Sequence, residues 1–315
     1  MSGAPIRIGT RGSRLALWQA TTVGSLLEQA GAQVEIVTIK TDGDRLQTRP
    51  LSETGTKRLF VKEIEDALLD QAVDVAVHSA KDMTVDQPEG LDITATLARE
   101  DPRDALVLPA HRPATNLASA LAALGERAAI GTSSVRRIAQ LIPVLPGATF
   151  RPIRGNVDTR LNKLDAGEFD ALILASAGMR RLGVGGRISA ALPFDTCVPA
   201  PGQGIIAIQI RRDDERTRIA VQRLHDPAAG TALAAERAVV EALGGGCQLP
   251  LGAIAIHAGG ALDLQAVVIS LDGATVIRAR RRGPFEEPVA LGRQVAADLS
   301  SAGAREVLET VRGSQ

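Results

Sequence analysis

Short runs of β-branched residues alternate with longer segments of helical periodicity, and this pattern constrains the chain more than any other feature. Ile6-Arg7-Ile8 precedes a predicted helix from Leu15 to Ala30, and Val34 to Ile39 follows as the next strand. Strands separated by helices read as βαβ units and a parallel sheet. Apolar residues at helical spacing over Phe60 to Ala72 lead into a predicted strand Val73 to His78, so Ser79, Ala80, Lys81 and Asp82 fall just past a strand's carboxyl end. Open α/β sheets bind their ligands at that edge.

A charged, proline-interrupted segment, Arg99 to Asp104, has the composition of a connection between domains. Beyond it three further strand-like runs each end in a polar loop. Ala128 to Gly131 runs into Thr132-Ser133-Ser134, Phe150 to Ile153 into Arg154-Gly155-Asn156, and Ala171 to Ala175 into Ser176-Ala177-Gly178. Hydroxyls, glycines and arginines are therefore expected together on one rim. Pro199 to Gly204 followed by the apolar run Ile205 to Ile210 predicts a return of the chain to the first domain. The remainder reads as a small α+β domain: an Ala- and Glu-rich helix over Thr231 to Leu243, the segment Gly244-Gly245-Gly246-Cys247, three strand-like runs and a closing helical stretch.

Composition removes several function classes. Lys+Arg and Asp+Glu number 36 each, so no whole-molecule field gathers nucleic acid or anionic lipid, and aromatics at 2% leave few platforms for stacking bases. No run approaches the roughly 20 apolar residues of a membrane span, and no basic-then-apolar leader opens the chain, so a cytoplasmic location is expected. Two cysteines and four scattered histidines predict neither a disulfide framework nor a metal site. His111, His225 and His257 read as structural or surface groups, Cys197 as a packed thiol, and Cys247 as an exposed one with either an incidental or a covalent role.

Arginine accounts for 31 of the 36 basic residues. Ser134 is placed to cap a helix whose first turn carries Arg136 and Arg137, and arginine there opposes the helix dipole unless an anion compensates it. With Arg11 and Ser13 after the first strand, and Arg154, Arg160, Arg180 and Arg181 after later ones, the set suits a ligand bearing several carboxylates, each held by a guanidinium fork. The competing reading is a set of solvated surface arginines. Neither a phosphate-binding loop nor a dinucleotide fingerprint is present. Lys81-Asp82 is either a solvated ion pair or, at a ligand edge, a carboxylate that stabilises developing positive charge or moves protons. Two other functions fit parts of the pattern: a non-catalytic binding module, and a Cys247 acyl transferase without an evident His/Asp partner. The basic run Arg278 to Arg282 reads as a solvated strand face rather than an RNA site.

In chain order, the segments IRIGTRGSRLALWQA, LFVKEIEDALL, DVAVHSAKDM, REDPRDAL, IGTSSVRR, RGNVDTRLNKLDAGEFDALILASAG, RRLG, PGQGIIAIQIR and GGGCQLPLGA resemble the porphobilinogen deaminase (hydroxymethylbilane synthase) family over essentially the whole sequence. The resemblance implies an α/β fold: two periplasmic-binding-protein-like α/β domains around a cleft, 1–98 with 204–222 and 103–198, plus a small α+β C-terminal domain, 225–315. It implies a monomeric transferase of tetrapyrrole (porphyrin, haem) biosynthesis. Four porphobilinogen molecules condense head to tail with loss of ammonia, and water releases hydroxymethylbilane. The implied cofactor is a dipyrromethane bound as a thioether to Cys247; no metal, nucleic acid or membrane partner is implied.

Carried across by motif, the resemblance makes Asp82 the catalytic carboxylate. Lys81, Ser79, Ser134, Arg136 and Arg137 become cofactor ligands beside it. Arg11, Ser13, Thr132, Arg154, Asn156, Arg160, Arg181 and Gln203 line the site for substrate and growing chain, and Lys57 and Phe60 belong to a mobile loop. The sequence departs from the family pattern at Arg14, at Thr54 to Phe60 with a bulky Arg58, and at Met83-Thr84, which bears on loop mobility and turnover rather than on reaction class.

Overall fold

The computed structural model describes residues 4–41, 61–114, 116–244 and 249–313. Lys57, Phe60 and Cys247 lie outside the described residues, as do the departures over Thr54 to Phe60. Two compact units emerge, Met1–Glu100 with Ile205–Gly230, and Asp101–Gly204 with Thr231–Gln315. The chain therefore crosses three times: at the charged segment, back at the Pro199 to Gly204 loop, and again between Gly230 and Thr231.

The first unit begins β1 (Ile6–Arg11), α1 (Arg14–Gln29), β2 (Val34–Ile39), α2 (Lys62–Leu69), β3 (Val75–Ser79) and β4 (Leu91–Thr96). Ser13 caps α1 by accepting a hydrogen bond from the Ala16 N–H, and the apolar stripe Ala20, Val23 and Leu27 buries against the sheet. In the second unit follow β5 (Asp104–Val107), α3 (Leu117–Leu124), β6 (Ala129–Gly131), α4 (Val135–Leu141), β7 (Thr149–Arg151), α5 (Val157–Asp165), β8 (Ala171–Ala175), α6 (Ser176–Arg181) and β9 (Ala190–Ala191). The chain returns through β10 (Ile206–Arg211) and α7 (Glu215–Gln222). Then come α8 (Pro227–Ala242), the strands β11 (Leu251–Ala258), β12 (Ala261–Ile269) and β13 (Val276–Pro284), and the helices α9 (Pro288–Ser301) and α10 (Ala304–Gly313). Helix α8 starts four residues before the expected Thr231. Asp226 accepts a hydrogen bond from the Ala229 N–H, and proline is well tolerated at a first helical position.

The two large sheets have the same plan. Their strand orders are β2-β1-β3-β10-β4 and β7-β6-β8-β5-β9. In each, three strands run parallel, and the fourth position is taken by the strand the chain forms on arriving from the other unit, β10 or β5, antiparallel to its neighbour. The expected all-parallel sheet is thus a mixed one. Apolar runs encode burial on both faces but not direction, which the crossing decides. Each sheet is covered on both faces: β1, β3 and β10 pack toward α1 on one side and α2 on the other, while β5 and β8 do so between α3 and α5.

The C-terminal part is an antiparallel meander, β11-β12-β13, covered by α9 and α10. It shares a core with the second α/β lobe, where Ile254, Val267 and Ile269 pack with Ala139, Val198 and Phe194. Helices α8 and α9 approach closely at Gly292. A Cβ there would stand 2.6 Å from the Ala238 methyl and would also meet the Ala235 carbonyl. Backbone cannot yield as a side-chain tip can, so Gly292→Ala is expected to destabilise the protein by about 1–3 kcal/mol, read as a lower urea midpoint with an unchanged slope.

Candidate active site

In the first unit the parallel pairing of β1 with β3 sends both carboxyl ends to the same edge. Arg11 and Ser13 follow one, and Ser79, Lys81 and Asp82 the other, so the structure brings these five predicted residues to one edge. Gln19 of α1 ties that edge together, its amide donating to the Ser79 hydroxyl at 2.9 Å. Residues Ala80 to Asp82 form a single 3-10 turn, held where the Ala80 N–H donates to the Ile205 carbonyl at 3.0 Å. The Asp82 side chain is exposed.

The second unit repeats the geometry. Strands β7, β6 and β8 are parallel, so the loops after them emerge on one edge, as the sequence implies. Ser133 stitches two of the loops together: its hydroxyl donates to the Ile153 carbonyl at 2.9 Å and accepts from the Ile153 N–H at 3.1 Å. Ser134 caps α4 through the Arg137 N–H, and Asn156 caps α5 through the Thr159 N–H. Thr132 is buried and accepts from the Ser134 N–H at 3.3 Å.

Arg136 and Arg137 are neither solvated nor waiting for an external anion. Their anion is internal, the Asp104 carboxylate, itself fully buried. Arg136 Nη1 donates to Asp104 Oδ2 at 2.7 Å and to the Val198 carbonyl at 2.6 Å. Arg137 donates to Oδ1 through Nε at 2.9 Å and Nη2 at 2.7 Å, and to the Ile173 carbonyl through Nη1 at 2.9 Å. Gln203 adds a fourth donor group at 3.0 Å, and the Cys197 thiol a fifth at 3.3 Å. Burial opposes ionisation of Asp104, but the two guanidinium charges and these hydrogen bonds overcome it and hold the carboxyl well below the usual carboxylate range. Cys197 moves the other way. Burial, then the Asp104 charge, push its thiol up to about 12, so it is a packed group, as expected, and not a nucleophile.

Asp104 was legible only as the end of a linker. Its one sequence signal is a carboxylate opening an apolar run, Ala105-Leu106-Val107-Leu108, with a pair of arginines elsewhere to neutralise it. Gln203, which the resemblance assigns to the substrate site, is 1% exposed and donates to Asp104 and the Pro102 carbonyl. Arg181 donates to the Gly204 carbonyl at 2.6 Å in the same loop.

The remaining arginines concentrate positive charge on the same edge. Arg160 donates to the Gly155 carbonyl at 2.8 Å, and burial followed by the neighbouring charges of Arg137 and Arg154 pushes its guanidinium down to about 10. Arg137, Arg154 and Arg160 thus stand close together as three cations on this edge.

Comparisons with known proteins agree with this chemistry. The family model for "Porphobilinogen deaminase, dipyromethane cofactor binding domain" matches residues 6–219, and that for "Porphobilinogen deaminase, C-terminal domain" matches 231–301. The chain belongs to the porphobilinogen deaminase family. Relatives named porphobilinogen deaminase from two strains of Acidithiobacillus ferrooxidans are each 47% identical over 311 residues, spanning 98% of this chain and 99% of the relative. Among solved structures, the VFT2 domain of Bordetella pertussis BvgS aligns with a TM-score of 0.41 at 16% identity, over 70% of this chain and 85% of that one. The family assignment makes the chain a transferase of tetrapyrrole biosynthesis whose first matched region binds dipyrromethane. No helix among the described residues is long and apolar enough to cross a membrane.

Replacing Asp104 by Asn should strand two buried guanidinium groups and cost about 3–5 kcal/mol. Because the native pKa is depressed, the stability contributed by the carboxylate is complete above about pH 4 and is lost as pH falls below it. Denaturant titrations of wild type and Asp104→Asn should therefore differ by a constant amount near neutrality and converge in acid.

Proposed function

We propose that Asp82 is the catalytic carboxylate of a porphobilinogen-condensing reaction whose polyanionic participants are oriented by the arginine edge of the second unit. The observation that carries this reading is the gathering of Arg137 and Arg154 around Arg160, whose guanidinium is pushed down first by its burial and then by those two neighbouring charges. Each porphobilinogen brings two carboxylates, so a lengthening pyrrole chain is a polyanion, and forked guanidinium groups fix its orientation as well as its position.

The dipyrromethane, when bound, supplies the pyrrole carbon from which the product chain grows. The donor set fits such a group, since its acidic side chains match the cationic edge, and Cys247 is the attachment point in this reading. The chain has two cysteines, and the other, Cys197, is fully buried with a raised pKa. Arg136, held through Nη1, and Arg137, engaged at Nε, Nη1 and Nη2, are both committed to Asp104 and in this reading contribute to cofactor binding through their charge. Ser79, Lys81 and Ser134 complete the cofactor contacts. Arg11, Ser13, Thr132, Arg154, Asn156, Arg160 and Arg181 serve the substrate and growing chain. Gln203 acts behind them, through Asp104.

The chemistry asks little more of the protein. Loss of ammonia from the aminomethyl arm of porphobilinogen leaves an electron-poor azafulvene. A carboxylate at the pyrrole N–H offsets the positive charge that develops before and after carbon–carbon bond formation, and can accept the proton released on rearomatisation. Asp82, exposed on the turn after β3, does both in this reading. A cytoplasmic monomer with a three-part domain division (1–98 with 204–222, 103–198, and 225–315) accompanies this reading.

Intact-mass measurement tests it. The wild-type and Cys197→Ser proteins should carry added mass equal to two linked pyrrole units, growing by one pyrrole per step with porphobilinogen, while Cys247→Ser carries none. An unmodified wild-type protein that takes up no porphobilinogen would overturn the reading. Asp82→Ala should lose roughly 10²–10⁴-fold in kcat while keeping its fold, and Asp82→Glu should retain part of the activity.

A further inference from the structure

Beneath the turn that carries Asp82 lies a buried polar group that the chemistry above does not use. Gln209 of β10 is fully buried, and its amide reaches three side chains. Its Oε1 lies 3.1 Å from His78 Nε2, and its Nε2 donates to Gln87 Oε1 at 2.8 Å and to Glu65 Oε1 at 3.2 Å. Two acceptors on the nitrogen fix the amide orientation, so Oε1 must accept, and His78 donates from Nε2. Burial, which outweighs the Gln209 hydrogen bond, pushes the His78 pKa down to about 4, so the ring is neutral and that single tautomer persists near neutrality.

The positions of these partners along the chain matter more than their number. His78 precedes Asp82 by four residues and Gln87 follows it by five, so one amide grips both flanks of the segment that presents the carboxylate. The second flank is held further in: Gln87 Nε2 donates to the Thr84 carbonyl at 2.9 Å. Strand register explains the reach. His78 stands opposite Ala207 in β3 and β10, which puts Gln209 on the same face, diagonally across. The ladder from β10 to β4 shifts by one residue between Ile208 and Gln209, an irregularity of the kind that re-aims side chains beside functional sites.

We infer that Gln209 is a positioning residue for the reaction, its amide bracing both ends of the Ser79 to Gln87 segment so that the Asp82 carboxylate is held at a fixed place and height. The inference rests on the assignment of Asp82 and goes beyond it.

A double-mutant cycle in kcat tests the inference on the full-length enzyme carrying its cofactor. Gln209→Leu keeps side-chain volume but breaks both braces. Gln87→Ala breaks only the second, at a half-exposed loop position where folding is not at stake. The expected result is a kcat about 10–100-fold lower for Gln209→Leu and about 3–10-fold lower for Gln87→Ala, with KM for porphobilinogen changed less than twofold. Once Asp82→Ala is present, either substitution should add little, because the group being positioned is gone. If Asp82→Ala is inactive but both substitutions leave kcat unchanged, or lower it by the same factor with and without Asp82, the positioning role is overturned while the Asp82 assignment stands. If Asp82→Ala itself has wild-type activity, the assignment falls and the positioning role falls with it. If Gln209→Leu does not fold, Gln87→Ala alone decides by the same cycle.

Discussion

A single buried carboxylate organises the second unit. Asp104 opens β5, the strand formed as the chain enters that unit, and it draws to itself the first turn of α4, the Cys197-Val198 segment and the Gln203 loop. An isolated carboxylate at full burial would neutralise itself or unfold its surroundings. Here two guanidinium groups and an amide supply enough hydrogen bonds to keep it charged, and in exchange it fixes where those groups stand. The rim arginines Arg154 and Arg160 then gather beside Arg137, whose charge is already half committed inward. A site built this way has its cationic character set by the interior, not by mobile surface side chains.

The two α/β lobes solve the same problem with one plan. Each takes its antiparallel strand from the crossing chain, and each places its loops at the carboxyl edge of three parallel strands. The division of labour between the edges follows from what the loops carry. The first presents a carboxylate on a short turn, braced from beneath by the buried Gln209 amide, which bonds a neutral imidazole and the half-exposed Gln87. The second presents guanidinium groups anchored by a buried acid.

The order of strands and helices was legible because hydrophobic periodicity is local: β2 runs over the residues its pattern marks, and α1 begins and ends within one residue of the expected bounds. The three polar loops after β6, β7 and β8 were legible as one rim because parallel strands share an edge. The partners of Arg136 and Arg137 were not. Adjacent arginines in a first helical turn announce that some anion is needed, but the one that serves lies 32 residues earlier, at the start of an apolar run that reads as ordinary core. The bonds of Gln203 to Asp104 and the Pro102 carbonyl were not legible either, since both partners lie about a hundred residues earlier in the chain.

What the sequence by itself determined is most of the strands and helices, the first two crossings, the family and the residues its motifs align, all of which depend on local pattern or on ordered segments along the chain. Only the tertiary structure decided the direction of β5 and β10, the commitment of Arg136, Arg137 and Gln203 to an interior carboxylate, the inertness of Cys197, and the bracing of the Asp82 turn by Gln209. These are contacts between residues tens to more than a hundred positions apart along the chain. Burial and proximity set their energies, and neither quantity exists until the sheets have formed.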